Sequence, residues 1–429
     1  MSPSMSPPRA TRQPPLRYRP ARRTDVETLA DLATRAYRVS SVEKRREFYT
    51  DHPRFGLRDV RVGELDGEAV ASLVLYPLTA YVRGESVPIT GVGSVAVSPE
   101  HRRRGVAEAL MRAALREMRQ RGSAFSTLYP WRGAYYRKLG YGVIEIVQQL
   151  AIAPAVLPES EEARRVRRLM LPDRPAVQAL YERVAAEGHF ALHRKPEWWS
   201  QRLWSYPGDW VVYEGKRRGQ IEGYLHYEVD TTQGPFKLAL TLSEFVAASP
   251  QAHRGLVGYL ASLADQVIEI HYAAPADNAW PMLLKTAQNL RPGAEIGVFS
   301  DTGGMANGLM LRVTDVKAGL ECLPVAGTAR GEFALEVDDA VLPANARAWR
   351  VVARDGRLTV SAGPPRPGSR RRLPRLRVAA DGLGPILAGT ISPTRAAEVG
   401  LVESVAGAAE LIESWFRTRP AFLFAHNLF

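Results

Sequence analysis

The sequence predicts an α/β (α+β) protein in which two mixed-sheet units stand in tandem and a smaller α+β unit follows. Three observations predict it. Val95-Ala96-Val97 reads as a buried strand end, and a basic loop and an amphipathic helix come directly after it. The order and spacing of that region return once, further along the chain. From about Gly304 the pattern changes to short strands, a hairpin and a terminal helix. A chain of 429 residues is too long for one ordinary core.

Composition narrows the classes of function. Hydrophobic residues make up 45% and charged residues 24%, the balance of a globular protein. The net charge of +12 invites a nucleic-acid reading, but the basic residues are dispersed and no nucleic-acid motif appears. Arg164-Arg165 and Arg370-Arg371-Arg372 read as solvated loops, so no nucleic acid is expected as a partner. Apolar runs such as residues 70–78 are too short to span a membrane. Residues 1–20 lack the apolar core of a signal peptide and read as a disordered tail. Cys322 is the only cysteine, which excludes an intrachain disulfide and a cysteine metal cluster. A cytoplasmic protein without a metal is expected.

The first unit, residues 21–155, opens at Thr24-Asp25-Val26-Glu27, a capping-box pattern before a helix that carries Leu29, Leu32 and Ala33. A second helix follows near residues 42–49. Strands at 60–65 and 69–75 flank Asp66-Gly67, a hairpin signal, and Arg83-Gly84-Glu85 marks another turn. Ser98-Pro99-Glu100 ends the next strand, because proline cannot donate into a ladder. From Gly105, Val106, Ala109, Leu110, Ala113 and Ala114 recur at helical spacing. The free N–H groups of that helix start favour an anion, and Gly105 lets backbone approach a phosphate closely. Arginines in the loop add charge-assisted contacts. Ser126-Thr127-Leu128-Tyr129-Pro130 is another short strand, and Trp131 to Gly142 carries Tyr136-x-x-Leu139-Gly140-Tyr141.

The second unit, 156–303, repeats the first. Asp209 to Tyr227 mirrors Asp59 to Tyr76, and Val246-Ala247-Ala248-Ser249-Pro250 mirrors Val95-Ala96-Val97-Ser98-Pro99. Its loop keeps one arginine, Arg254, and nothing like residues 136–141 follows, so it is expected to keep the fold without the cofactor. The third unit, 304–429, has strands near 309–313 and 331–337, a hairpin at Asp355-Gly356, a helix near 408–416, and an apolar end from Pro420 to Phe429. Chain ends are usually frayed and polar, so this tail is expected to dock, with its carboxylate inside another unit.

Arg102-x-x-Gly105-x-Ala107 resembles the pyrophosphate motif of the GCN5-related N-acetyltransferases (GNAT), and residues 136–141 resemble the segment that closes many of those domains. An active GNAT copy, a degenerate one and an α+β unit ending in phenylalanine resemble the enhanced intracellular survival (Eis) family, whose third domain is similar to sterol carrier proteins. The resemblance implies an acetyl-CoA-dependent N-acetyltransferase that acts on a small-molecule or peptide amine, and a homo-oligomer, a hexamer in that family. It implies that Val95, Ala96 and Val97 bind the pantetheine arm and that Arg102, Arg103, Arg104, Gly105, Val106, Ala107 and Glu108 cradle the pyrophosphate. Trp131 and Arg132 stand where the family has a further coenzyme contact, though bulkier. Tyr136 is implied as general acid and the Phe429 carboxylate as general base; His193, His426 or Glu197 are alternative bases, directly or through water.

The chemistry suits these roles, since the amine must lose a proton and the departing thiolate must gain one. A phenol of pKa about 10 can donate to a thiolate whose acid lies near 8.5, and a carboxylate becomes more basic among Phe422, Phe424 and Leu428. Tyr37 and Tyr49, with Phe48, suggest an aromatic wall for the amine and no acidic cluster for a polycation. The rival reading is a coenzyme-A-binding sensor or apolar-ligand carrier without turnover. Cys322 lies outside both motifs and is not expected to carry an acyl group.

Overall fold

Tight turns set the first sheet. The computed structural model describes residues 16–429 apart from 39–40, 218, 233, 235–236, 287–300 and 364–372, so the run Arg370-Arg371-Arg372 lies outside the described residues. Strands β1 (Arg17–Pro20), β2 (Val60–Leu65), β3 (Glu68–Val82), β4 (Glu85–Val97), β5 (Phe125–Leu128) and β6 (Gly142–Val143) come early in the chain. Asp66-Gly67 and Arg83-Gly84 have φ of 50°, 83°, 52° and 85°, so both hairpins turn through two left-handed residues, the geometry that matches strand twist. Helices α1 (Val26–Tyr37), α2 (Val42–Thr50), α3 (Val106–Gln120) and α4 (Gly133–Arg137) pack around these strands.

The second sheet is built from β7 (Ile146–Ile152), β8 (Val166–Arg168), β10 (Asp209–Glu214), β11 (Ile221–Asp230), β12 (Leu238–Ala247), β13 (Val267–Pro275) and β14 (Gly303–Asn307), in the order β14-β7-β13-β12-β11-β10-β8. Helices α5 (Arg174–Ala186), α6 (Pro196–Gln201) and α7 (Pro250–Ala261) accompany it. β9 (His189–Leu192) and β15 (Met310–Val313) leave their sequence neighbours and join the first sheet, whose path is β1-β2-β3-β4-β5-β15-β6 with β9 on β3. The third unit has a five-stranded sheet, β18-β17-β16-β19-β20, from β16 (Gly331–Asp338), β17 (Ala348–Arg354), β18 (Arg357–Ala362), β19 (Arg375–Ala379) and β20 (Val402–Val405). Its helices are α8 (Val316–Glu321), α9 (Ala380–Leu387), α10 (Pro393–Glu398) and α11 (Ala408–Ile412).

The structure corrects several expectations. Residues 17–20 are not tail: they pair with residues 61–64, and Pro20 is tolerated because β1 is an edge strand. Residues 146–152, placed in the first unit, form β7 of the second sheet, and residues 304–307 and 310–313, placed in the third unit, pair in the second and first sheets. Thr24 does not cap α1; Asp25 occupies that position, and its carboxylate accepts the Arg22 N–H and the Arg19 guanidinium. The helix near 408–416 is short, ending at Ile412.

The third unit is fused to the first by burial. Val82, Ile89, Phe125, Leu311 and Val313 share one core with Phe333, Leu335, Trp349, Leu383 and Trp415. A buried Arg312–Asp339 ion pair crosses this boundary, and Asp339 also accepts the Val341 and Leu342 N–H groups and Asn345 Nδ2. Helix α9 lies directly on the segment after α4: a Cβ on Gly142 would fall 2.0 Å from the Asp381 carbonyl oxygen. No helix among the described residues is long and apolar enough to cross a membrane, and no group of three or more candidate side-chain metal ligands appears among them.

Candidate active site

A wedge opens between β4 and β5. These strands pair in parallel at Thr90 with Ser126 and Gly91 with Thr127, and beyond that point they separate. Ser94, with φ of 48°, bulges β4 on its other side, where the register to β3 shifts between Ser72 and Val74. A bulge re-aims a strand. Val95, Ala96 and Val97 therefore present a main-chain edge that β5 does not pair, and the Thr127 hydroxyl is buried nearby in the sheet without a partner. Such an edge and an orphaned hydroxyl fit an extended ligand with amide groups, such as a pantetheine arm. The Val95 carbonyl already accepts the Tyr37 hydroxyl at 2.8 Å, so Tyr37 fixes the bulge.

At the end of the wedge stands the N-terminus of α3. Gly105 precedes it with φ of 79°, and no side chain caps the helix. Arg103, with φ of 60°, is left-handed as well, so the loop coils back over the helix start. Arg102 donates to the Ala36 carbonyl at 3.1 Å and more weakly to that of Val97, and so ties α1 to β4. Arg103 and Arg104 are exposed, and neither side chain has an ion-pair partner among the described residues. Val106 is buried, Ala107 is half-buried, and Glu108 pairs with Arg112. Open N–H groups, the helix dipole and two cationic side chains together suit a pyrophosphate.

The second copy shows the contrast. Ser249 caps α7, accepting the Ala252 N–H at 3.1 Å, so that helix start already has an acceptor. Residues expected to form a loop, Gln251 to Gly255, are helical there. The copy's own wedge, where β12 and β13 part after Leu242 and Tyr272, is closed by the buried Trp280, whose ring lies 5.2 Å from Phe245 and 5.3 Å from Tyr272.

Tyr136 lies on α4 and is 8% exposed. Burial raises its pKa, so the phenol stays protonated at neutral pH. Its carbonyl accepts N–H groups of Leu139 and Tyr141, and this tight turn is locked by the Ser126–Tyr141 hydroxyl contact at 2.8 Å. Trp131 is 90% exposed and Arg132 is exposed, both on the turn before α4.

The chain terminus reaches the first sheet. A Cβ on Gly91 would meet Phe429 Cε2 at 2.6 Å, and one on Gly93 would meet the Phe429 carboxyl carbon at 3.3 Å. Phe429 also lies 5.4 Å from the Tyr76 ring and 6.4 Å from Tyr129. The carboxylate thus sits on β4 one residue before the bulge. Its surroundings differ from the expected Phe422, Phe424 and Leu428: Phe424 packs in the core of the second unit, and Leu428 is exposed. Among the described residues nothing pairs with the terminal carboxylate or donates a hydrogen bond to it.

Two of the alternative bases, His193 and His426, have partners of their own. His193 contacts Glu182 at 2.9 Å. His426 contacts His226 at 2.9 Å, and its pKa is pushed down to about 4, chiefly by burial. Glu197 is exposed on α6. Tyr49 is 2% exposed and packs with Leu29, Val60 and Val74, so it belongs to the core and not to an open wall. Phe48, Phe55, Tyr76 and His52 form an aromatic cluster in its place, with Arg45 over Tyr37 and Phe48. Burial pushes the His52 pKa down to about 3, which keeps that ring neutral. The glycines Gly91 and Gly93, and Arg54, which grips the tail, were not singled out from sequence. Two alternate glycines in one strand are the signal that marks them, since glycine there permits close approach.

Comparisons with known proteins agree with this geometry. Residues 17–144 and 191–313 each match an acetyltransferase (GNAT) domain family, and residues 316–423 match a sterol carrier protein domain family. The N-acetyltransferase Eis of Mycobacterium tuberculosis is 30% identical over 306 residues, 67% of this chain and 71% of that protein. The chain belongs to the Eis-like family of GNAT N-acetyltransferases. An uncharacterized N-acetyltransferase of Streptomyces avermitilis is 28% identical over 321 residues, 70% of this chain and 73% of its own. Among solved structures, a GCN5-related N-acetyltransferase from Anabaena variabilis superposes with a TM-score of 0.80 at 21% identity, over 96% of this chain and 100% of that one. Eis1 from Mycobacterium abscessus gives 0.74 at 23%, over 96% and 100%. This Eis-like chain is thus an N-acetyltransferase, and its GNAT domains imply acetyl-CoA as co-substrate.

Proposed function

We propose that this chain transfers acetyl directly from acetyl-CoA to a primary amine, with the Phe429 terminal carboxylate as general base and Tyr136 as general acid. The observation that carries the reading is the terminal carboxyl group on β4, beside the unpaired strand edge and without a partner of its own. Acetyl-CoA supplies an activated thioester carbonyl. The β4 edge orients the arm, and the α3 N-terminus with Arg103 and Arg104 holds the phosphates. The carboxylate takes a proton from the amine, whose nitrogen then forms the new bond to the acetyl carbon. As the carbon–sulfur bond breaks, the Tyr136 hydroxyl gives its proton to the sulfur. No metal or covalent enzyme intermediate enters this scheme.

The amine side supports a weakly cationic, aromatic or apolar amine over a polycation. Its walls are the part-exposed Tyr37 and Phe48, and the cation beside them is Arg45. The test is coenzyme A release from acetyl-CoA with aryl amines, lysine peptides, polyamines and aminoglycosides, using the native chain and one with a residue appended after Phe429. Amine-dependent release that collapses on extension is expected. Release that survives extension would discard the terminal base; binding without release for every amine would favour the sensor or carrier reading.

A further inference from the structure

We propose that Arg54 is the positioning residue of the terminal carboxylate, and that the second, cofactor-free copy is the anchor on which it works. Arg54 lies in the loop between α2 and β2. Its Nη1 donates to the carbonyls of Asn427 and Leu428, both at 2.9 Å, and its Nη2 donates to that of His426 at 3.2 Å. Its guanidinium carbon lies 3.6 Å from the centre of the Trp198 indole, and Trp198 Nε1 donates to the His426 carbonyl at 3.1 Å. One planar fork thus fixes three successive carbonyls before Phe429 and bonds neither oxygen of the terminal carboxylate. An arginine paired with the carboxylate itself would make it a weaker base. Gripping the preceding carbonyls sets its position and leaves it unpaired.

The second copy holds the other side of the tail. Asn427 Oδ1 accepts from Arg194 Nε at 2.7 Å, and Asn427 Nδ2 donates to Tyr181 Oη at 2.7 Å. Arg194 forms a wholly buried ion pair with Glu244, which also accepts the Tyr224 hydroxyl at 2.8 Å. The sequence repeat makes the relation between the copies specific. Glu244 stands two residues before Val246-Ala247-Ala248-Ser249-Pro250, as Gly93 stands two residues before Val95-Ala96-Val97-Ser98-Pro99. In the repeat, Glu244 therefore stands where Gly93 stands in the first copy. The tail runs from one of these equivalent positions, through Asn427 and Arg194, to the other at Phe429. A copy whose own wedge is closed by Trp280 has become a socket for the end of the chain.

The inference rests on the terminal carboxylate as base, and its test separates the two. In the full-length protein, Arg54→Lys keeps the charge but presents a single ammonium that cannot bridge three carbonyls. Its kcat is expected to fall at least about 30-fold while acetyl-CoA affinity stays within twofold. Appending a residue after Phe429, which is costly in the wild type, should then cost less than about threefold in the Arg54→Lys background, because both changes remove the same placement. Asn427→Ala is the second variant, expected to show the same non-additivity while Arg54 and its three backbone acceptors stay in place. Wild-type kcat in Arg54→Lys, where extension abolishes transfer, would overturn the proposal, as would effects that simply add. Should extension leave the wild-type rate intact, the base assignment fails, and protection of residues 420–429 from proteolysis decides the anchor. Faster cleavage in Arg54→Lys than in wild type supports it, and equal cleavage refutes it.

Discussion

Gly91→Ala tests the placement of the terminus through a single methyl group. The new Cβ would stand 2.6 Å from Phe429 Cε2 and 2.7 Å from Leu78 Cδ1. Ordinary carbon contacts begin at about 3.5 Å, so the phenyl ring must withdraw by about 1 Å. Gly91 is not in the left-handed region, so the backbone accepts alanine and the conflict is purely steric. Because the carboxylate shares the residue with the ring, it moves too. A misplacement of about 1 Å in a reacting group costs about 10²-fold in rate, or about 2.7 kcal/mol. The assay is steady-state kcat at saturating acetyl-CoA, with binding of acetyl-CoA as the control. Phe429→Leu removes the clashing atoms and keeps a terminal carboxylate, so the double variant should regain most of the loss. A folded Gly91→Ala enzyme with wild-type kcat would refute the reasoning, as would a loss that Phe429→Leu fails to relieve.

Other outcomes follow from the same geometry. Gly105→Ala forces an L side chain to φ of 79°, a strain of about 1–2 kcal/mol, so the Kd for acetyl-CoA should rise about tenfold while kcat at saturation holds, measured by calorimetry and kinetics. Tyr136→Phe should lower kcat by about 10²–10⁴ with acetyl-CoA affinity unchanged, measured by thiol release. Asp339→Asn leaves the buried Arg312 without its counter-charge, and urea unfolding should show a loss of about 3–5 kcal/mol. Buried His426, held near a pKa of about 4, takes up a proton on unfolding. Its contribution, on the order of 3 kcal/mol, is complete above the unfolded pKa near 6.5 and is lost as pH falls towards 4. Urea midpoints at pH 7 and 4.5 should differ less in His426→Gln than in wild type.

Local chemistry was legible in the sequence where neighbours along the chain decide the structure. Asp66-Gly67 and Asp355-Gly356 each turn through two left-handed residues, as their types favour, and Arg83-Gly84 turns the same way about its glycine. The strand, the glycine-ended loop and the α3 start at Gly105, together with the Tyr136 turn, were readable for the same reason. Sheet membership was not. Nothing in Met310-Leu311-Arg312-Val313 says that it pairs with β5 and β6 of the first sheet, because the partners lie far away in sequence and alternation alone fixes no address. β1 was hidden by the proline- and arginine-rich composition around it, although Leu16 and Tyr18 alternate towards Gly63 and Glu117. Tyr49 reads as a wall residue from helix α2 alone; only the packing of β2 and β3 beneath it makes it core. The docking of the tail was legible as an apolar end, but its hold on Arg54 and Arg194 comes from three units meeting.

The most direct test replaces the carboxylate of Phe429 by a carboxamide through semisynthesis, which changes one oxygen to nitrogen and leaves the phenyl ring, the β4 contact and the Arg54 grip in place. The account predicts that kcat falls by about 10²–10⁴ while acetyl-CoA binds as before. Transfer at the wild-type rate in the carboxamide enzyme would contradict it.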